Sequence, residues 1–138
     1  MQSHGFSSIG SYAEKAVVPA GRLVKLPTGV DLQNAAALMV QGVTAYYLSH
    51  LTFELKPGRE ALVHVAAGGV GFLLTQMTKD VGATVIATTS TREKSERARE
   101  AGPEEVFLYT QTKFDEEVMR ITNGAGLEVV YDGVGQAT

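Results

Sequence analysis

The chain has 138 residues, 44% hydrophobic and 20% charged, which is one domain's length and enough to bury a core. A net charge of -3 provides no basic surface for nucleic acid or an anionic membrane. Cysteine is absent, which excludes disulfides, Cys-ligated zinc, iron–sulfur clusters and a thiol nucleophile, and fits a reducing, cytoplasmic setting.

In chain order, Met1 to Gly10 is small and polar, lacks the apolar stretch of a signal peptide, and is expected to be poorly ordered. No apolar run approaches the ~20 residues of a membrane span. Tyr12 to Pro19 and Leu23 to Leu26 read as short strands, the second ended by Pro27-Thr28-Gly29. They cannot start a parallel sheet alone, so they are expected to edge a β structure that lies outside this chain. Asp31 suits the N-cap of a helix from Leu32 to about Met39. Gly42 is expected to interrupt it before a second helix, Thr44 to His50, with Leu38, Ala45, Leu48 and Leu51 forming a core-facing stripe. Tyr46 and Tyr47 read as packing residues, and His50 as a side chain favoured by the helix dipole.

The rest of the chain is organised around Arg59 to Gln76. Pro57-Gly58 turns into an apolar strand, Ala61 to Ala66, which stops in a glycine-rich turn and continues as a helix from near Gly69. Ala66, Gly68 and Gly71 hold the three small-residue positions of the dinucleotide fingerprint G-x-G-x-x-G, with Ala in the first. The first makes the tight turn, the second admits a pyrophosphate to the backbone, and the third lets helix and strand pack closely. Gly82-Ala83 ends the helix and Thr84 to Thr89 forms a second strand, completing a unit of the roughly 30 residues the motif requires. His64, inside the first strand, reads as a packed core residue.

A charged helix follows from Thr91 to Ala101, with Glu93 and Arg97 positioned to pair, and stops at Gly102-Pro103. Glu105 to Tyr109 is a third strand. Phe114 to Thr122 is an amphipathic helix ended by Asn123-Gly124, and Leu127 to Tyr131 is a fourth strand leading into Asp132-Gly133-Val134-Gly135. The order β-α-β-α-β-α-β implies an α/β fold with a doubly wound parallel sheet, a partial Rossmann domain. A complete domain of this kind has about six strands in the order 3-2-1-4-5-6, so the chain is expected to be a fragment of a longer enzyme.

The position about 20 residues past the glycines, where an NAD site carries a carboxylate, falls on Thr88, Thr89 and Ser90. A hydroxyl followed by Arg92 and Lys94 suits a 2′-phosphate, which favours NADP(H) over NAD(H). The alternative is that Arg92 and Lys94 only solvate a helix start. Asp132 lies either at the functional edge of the sheet or as the cap of a following helix, and both readings stand.

The runs S-Y-A-E-K-A-V-V-P-A-G-R-L-V-K-L-P-T-G-V, A-A-A-L-M-V-Q-G-V-T-A-Y-Y-L, L-V-H-V-A-A-G-G-V-G and Y-D-G-V-G together resemble the zinc-free quinone oxidoreductases. These are the zeta-crystallin-like branch of the medium-chain dehydrogenase/reductase superfamily, and the resemblance covers nearly all of the chain from Ser11. It implies residues 1–30 as the tail of a GroES-like domain, a short β segment, and 31–138 as an incomplete NADP(H)-binding Rossmann domain. It implies an NADPH-dependent reductase of quinones or related α,β-unsaturated carbonyls. Enoyl reductase domains of polyketide synthases share the fold, and a non-catalytic NADPH-sensing module is a reading of another class.

By the same resemblance, Ala67, Gly68, Gly69, Val70 and Gly71 form the pyrophosphate loop. Thr44 lies towards the nicotinamide, Ser90 and Lys94 hold the 2′-phosphate, Tyr109 packs by the adenosine, and Gly133 and Val134, with Gly135, flank the nicotinamide ribose. Gln41 stands where zinc-dependent relatives have a cysteine ligand, so no metal is expected. No catalytic residue is assigned, because the cofactor carries the hydride. The expected partner is a small-molecule quinone or enone, with no nucleic acid and no membrane, in a homo-oligomer. The fragment alone is expected to bind nucleotide weakly and turn over little or no substrate.

Overall fold

The computed structural model describes residues 12–135; the expectation of poor order at Met1 to Gly10 lies outside the described residues. The chain divides into two compact units, 1–35 and 36–138.

Among its described residues before Leu32, the first unit has one 3-10 turn, Ala20–Arg22, closed by the Arg22 N–H donating to the Pro19 carbonyl at 2.9 Å. Neither expected strand forms: Tyr12, Val17, Leu23 and Val24 are exposed. An extended segment becomes a strand only when a neighbour supplies N–H and C=O partners, and neither segment is part of a strand. Asp31 does cap the helix α1 (Leu32–Tyr46), its Oδ1 accepting the Asn34 N–H at 2.9 Å.

In the second unit α1 runs straight through Gly42 rather than breaking there. A lone interior glycine costs about 1 kcal/mol, too little to end a helix. The expected second helix is instead a π-helical turn, Tyr47–Thr52, in which the Phe53 N–H reaches back to the Leu48 carbonyl at 3.4 Å. The expected stripe is only half correct. Ala45 is fully buried and Leu48 packs on the core, but Leu38 and Leu51 are 49% and 67% exposed. Tyr46 and Tyr47 are not packed inside either; Tyr46 stacks on the His50 ring at 4.3 Å.

The sheet contains β1 (Glu60–Val63), β2 (Thr84–Thr89), β3 (Glu105–Leu108) and β4 (Val129–Tyr131), all parallel in the order β3-β2-β1-β4. Helices α2 (Gly69–Asp80), α3 (Arg92–Arg99) and α4 (Phe114–Ile121) connect them. Alternate residues feed two cores. Ala61, Val63, Val85 and Ala87 pack with Leu74 of α2, while Leu62 and Ile86 pack with Val118 of α4. Apolar cover on both faces explains why β1 and β2 are buried almost throughout rather than on alternate residues. β1 is shorter than expected, and His64 lies in the turn after it, although the Ala66 N–H still donates to the Thr88 carbonyl at 3.0 Å. Arg97, expected to pair with Glu93, holds its guanidinium over the Phe72 ring, 5.8 Å from the centroid.

Two glutamates fasten the entering ends of the strands. Glu104 pairs with Lys79 and accepts the Val85 N–H at 2.7 Å; Glu128 pairs with Arg59 at 3.2 Å and accepts the Glu60 N–H at 2.7 Å. The opposite, C-terminal ends open into the loops that carry the candidate site. Among the described residues no helix is long and apolar enough to cross a membrane.

Candidate functional site

The turn from β1 into α2 is held by its own backbone. Val65 adopts a left-handed conformation (φ 54), and its carbonyl accepts the Gly68 N–H at 2.8 Å. Gly68 is the extended N-cap of α2, and no side chain caps that helix. The leading N–H groups of α2 and the positive end of its dipole are therefore left for water or an anion. Backbone leaves Gly71 no room for a side chain, whereas Gly69 faces only the movable end of Gln41. A Cβ on Gly71 would lie 2.6 Å from the Val65 carbonyl oxygen and 2.9 Å from the Ala66 Cα, and a Cβ on Gly69 would collide with the Gln41 side-chain amide.

This turn opens on a cavity of about 600 Å³. It lies between the C-terminal ends of β1 and β4, where the strand order reverses, which is where open α/β sheets bind ligands. Thr44, Gly68, Gly69, Val70, Gly71, Gly133 and Val134 all line it. Ala67 does not; it is buried beneath the turn. Asp132 also lines the cavity and accepts the Val134 N–H at 2.7 Å and the Gly135 N–H at 3.1 Å, which fixes the loop on the cavity wall; the bonds cap a turn, and no helix follows among the described residues.

Ser90, Lys94 and Tyr109 form a second group, at the C-terminal ends of β2 and β3. Lys94 Nζ donates to Ser90 Oγ at 3.2 Å, and Lys94 lies in the first turn of α3, which Thr91 caps. Thr110 Oγ1 donates to the Ser90 carbonyl at 3.1 Å, and the Tyr109 N–H to the Thr89 carbonyl at 3.2 Å, so the β2 and β3 exits are tied together. Tyr109 lines a separate cavity of about 460 Å³ walled by residues 109–115.

His64 is buried, as expected of a core residue. Its Nδ1 lies 2.8 Å from Thr88 Oγ1, and its ring stands edge-on to Phe114 at 5.0 Å. Burial pushes its pKa below the usual histidine value, partly opposed by the charge of Asp132. His64 is also among the residues lining the cavity.

Sequence reasoning missed Leu48, Thr52 and Phe53, which the π-helical turn brings to the cavity. Helical periodicity assumes an α-helix, and one extra residue in a turn shifts every later side chain. Among the described residues no three His, Asp or Glu side chains gather as a metal site.

A parallel sheet in this order, with a glycine turn and an uncapped helix at its switch point, defines a Rossmann-like α/β fold. The chain belongs to the zinc-binding dehydrogenase family, whose sequence profile matches residues 69–138. It is 43% identical over 132 residues to the 2-haloacrylate reductase of a Burkholderia species, covering 94% of this chain and 40% of that protein. It is 41% identical over 130 residues to a quinone oxidoreductase of Pseudomonas aeruginosa, with 94% and 40% covered. The crystal structure of Escherichia coli quinone oxidoreductase complexed with NADPH superposes with a TM-score of 0.78 at 40% identity, covering 82% of this chain and 35% of that one. These relatives bear out the resemblance to the quinone oxidoreductases of the medium-chain dehydrogenase/reductase superfamily. The chain spans about 40% of the length of the curated relatives it matches.

Proposed function

We propose that this chain is the cofactor-binding part of an NADPH-dependent oxidoreductase that delivers hydride to quinones or related α,β-unsaturated carbonyls. The observation that carries the reading is the uncapped start of α2, reached through a turn in which Gly71 has no room for a side chain, opening on a cavity at the switch point. These features fit a dinucleotide. Main-chain amides beside Gly69 would receive the diphosphate, and Ser90 with Lys94 the 2′-phosphate. Tyr109 would pack by the adenosine, with Thr44, Gly133 and Val134 on the nicotinamide side. When bound, NADPH supplies the hydride. The chain's own residues orient it and exclude water: Leu48 and Phe53 present an apolar wall, and the turn held by Asp132 keeps residues 133–135 against the cavity.

The substrate class is supported by relatives named as reducing quinones and a haloacrylate, both electron-poor conjugated systems. The 2-haloacrylate reductase favours an activated alkene as the second reading within the class. Residues 1–30 as the tail of a GroES-like domain, a cytoplasmic location and a homo-oligomer belong to the same proposal.

The test is to titrate NADPH and NADH into the protein and follow nicotinamide fluorescence, then to follow NADPH oxidation by a quinone and by a conjugated alkene in the full-length protein. NADPH should bind more tightly, and Lys94→Ala should weaken NADPH about tenfold or more while sparing NADH. Equal affinity for the two nucleotides would defeat the 2′-phosphate assignment, and no affinity for either would defeat the whole reading.

A further inference from the structure

Two glycines of the turn face different neighbours. Gly71 is hemmed in by backbone, but the three atoms nearest a Cβ on Gly69 are the amide carbon, oxygen and nitrogen of Gln41. Gln41 projects from α1 and lays its polar end on the bare first residue of α2. The side chain is exposed, and among the described residues its amide makes no hydrogen bond. Thr44, one turn further along α1 and on the same face, lines the cavity, as does Gly69, so Gln41 lies beside two lining residues without being one itself.

Resting on the dinucleotide reading above, we propose that Gln41 is a further cofactor-contacting residue whose side-chain amide donates a hydrogen bond to the diphosphate received at the start of α2. A primary amide carries two N–H donors on one nitrogen. At a helix start with no side-chain cap, it adds a donor from outside the helix to those the backbone already offers an anion. Because the group is neutral and the diphosphate is common to both nucleotides, Gln41 serves NADPH and NADH alike. In this it differs from Lys94, whose contribution is confined to the 2′-phosphate. Glycine at 69 is then a requirement of binding: any side chain there would displace the amide from the helix start.

The experiment compares the wild type with Gln41→Leu, Gln41→Asn and Gln41→Glu by fluorescence titration with NADPH and NADH. Adenosine 2′-phosphate, which lacks the diphosphate, is the control ligand, read by competition against NADPH. Gln41→Leu and Gln41→Asn should weaken both dinucleotides by about tenfold, Gln41→Glu should weaken them further through charge repulsion, and adenosine 2′-phosphate should bind each variant as it binds the wild type. Circular dichroism checks the fold, and Gln41→Asn, which keeps an exposed amide one methylene too short, guards against misfolding in the leucine variant. Wild-type affinity for both dinucleotides in Gln41→Leu and Gln41→Glu would overturn the role of Gln41 while leaving the dinucleotide reading intact. Absence of binding in the wild type itself would overturn both.

Discussion

At the scale of single residues, the turn between β1 and α2 holds its shape by close backbone approach. The Gly71 Cα faces the Val65 carbonyl and the Ala66 Cα with no room for a methyl group. Gly71→Ala should cost about 2–3 kcal/mol, since overpacking against backbone cannot be relieved by a rotamer change. Urea unfolding would measure this, and a variant as stable as the wild type would refute the close approach. The small residue at 71 was legible from spacing alone, because the fingerprint encodes a contact made within a few residues. Val65 was not. A β-branched residue at φ 54 is disfavoured by about 1–3 kcal/mol in isolation, and it persists because the Gly68 N–H and the ladder bond from Ala66 to Thr88 hold the turn from both sides. The pairing of His64 with Thr88 was equally hidden, since it joins the turn after β1 to a residue of β2, 24 positions away.

At the scale of elements, local signals succeeded where the local environment decides. Asp31, Thr91 and the glycines after α2 and α4 mark real helix ends, and β2 runs over the expected residues. They failed where a partner decides, as at Tyr12 to Pro19 and Leu23 to Leu26, and where the helix type changes, as at Tyr47–Thr52. The Glu104 clamp is an element-scale device, joining α2 to the starts of β2 and β3. Burial raises the Glu104 pKa, but the hydrogen bonds from Lys79 and the Val85 N–H outweigh it and hold the carboxyl below its ordinary value. A carboxylate depressed in the fold adds stability above the unfolded pKa, and that stability is lost as pH falls through the lower folded value. Glu104→Ala should therefore cost about 1 kcal/mol at neutral pH, a modest figure because the pair is partly exposed. The gap to wild type should close on acidification, as read by denaturant midpoints at neutral and acid pH. A gap that does not change with pH would remove the ionised clamp from the account.

At the scale of the molecule, the order β3-β2-β1-β4 leaves β4 as an outer strand among the described residues, with Val130 46% exposed. An apolar outer strand offers unpaired backbone groups to a second copy. The chain is expected to self-associate, with a sedimentation coefficient that rises with concentration; monomeric sedimentation at high concentration would exclude pairing through β4. Sequence alone determined what depends on neighbours along the chain: the alternation of strands and helices, the small residues of the turn, and the hydroxyl-and-lysine pair after β2. Tertiary structure alone decided which strands lie side by side, the cavity between β1 and β4, the π-helical turn that walls it, and the meeting of Gln41 with Gly69. The reason is physical. Steric and hydrogen-bonding preferences act over a few residues and are written in local spacing, whereas contacts between distant segments exist only once the sheet has brought them together.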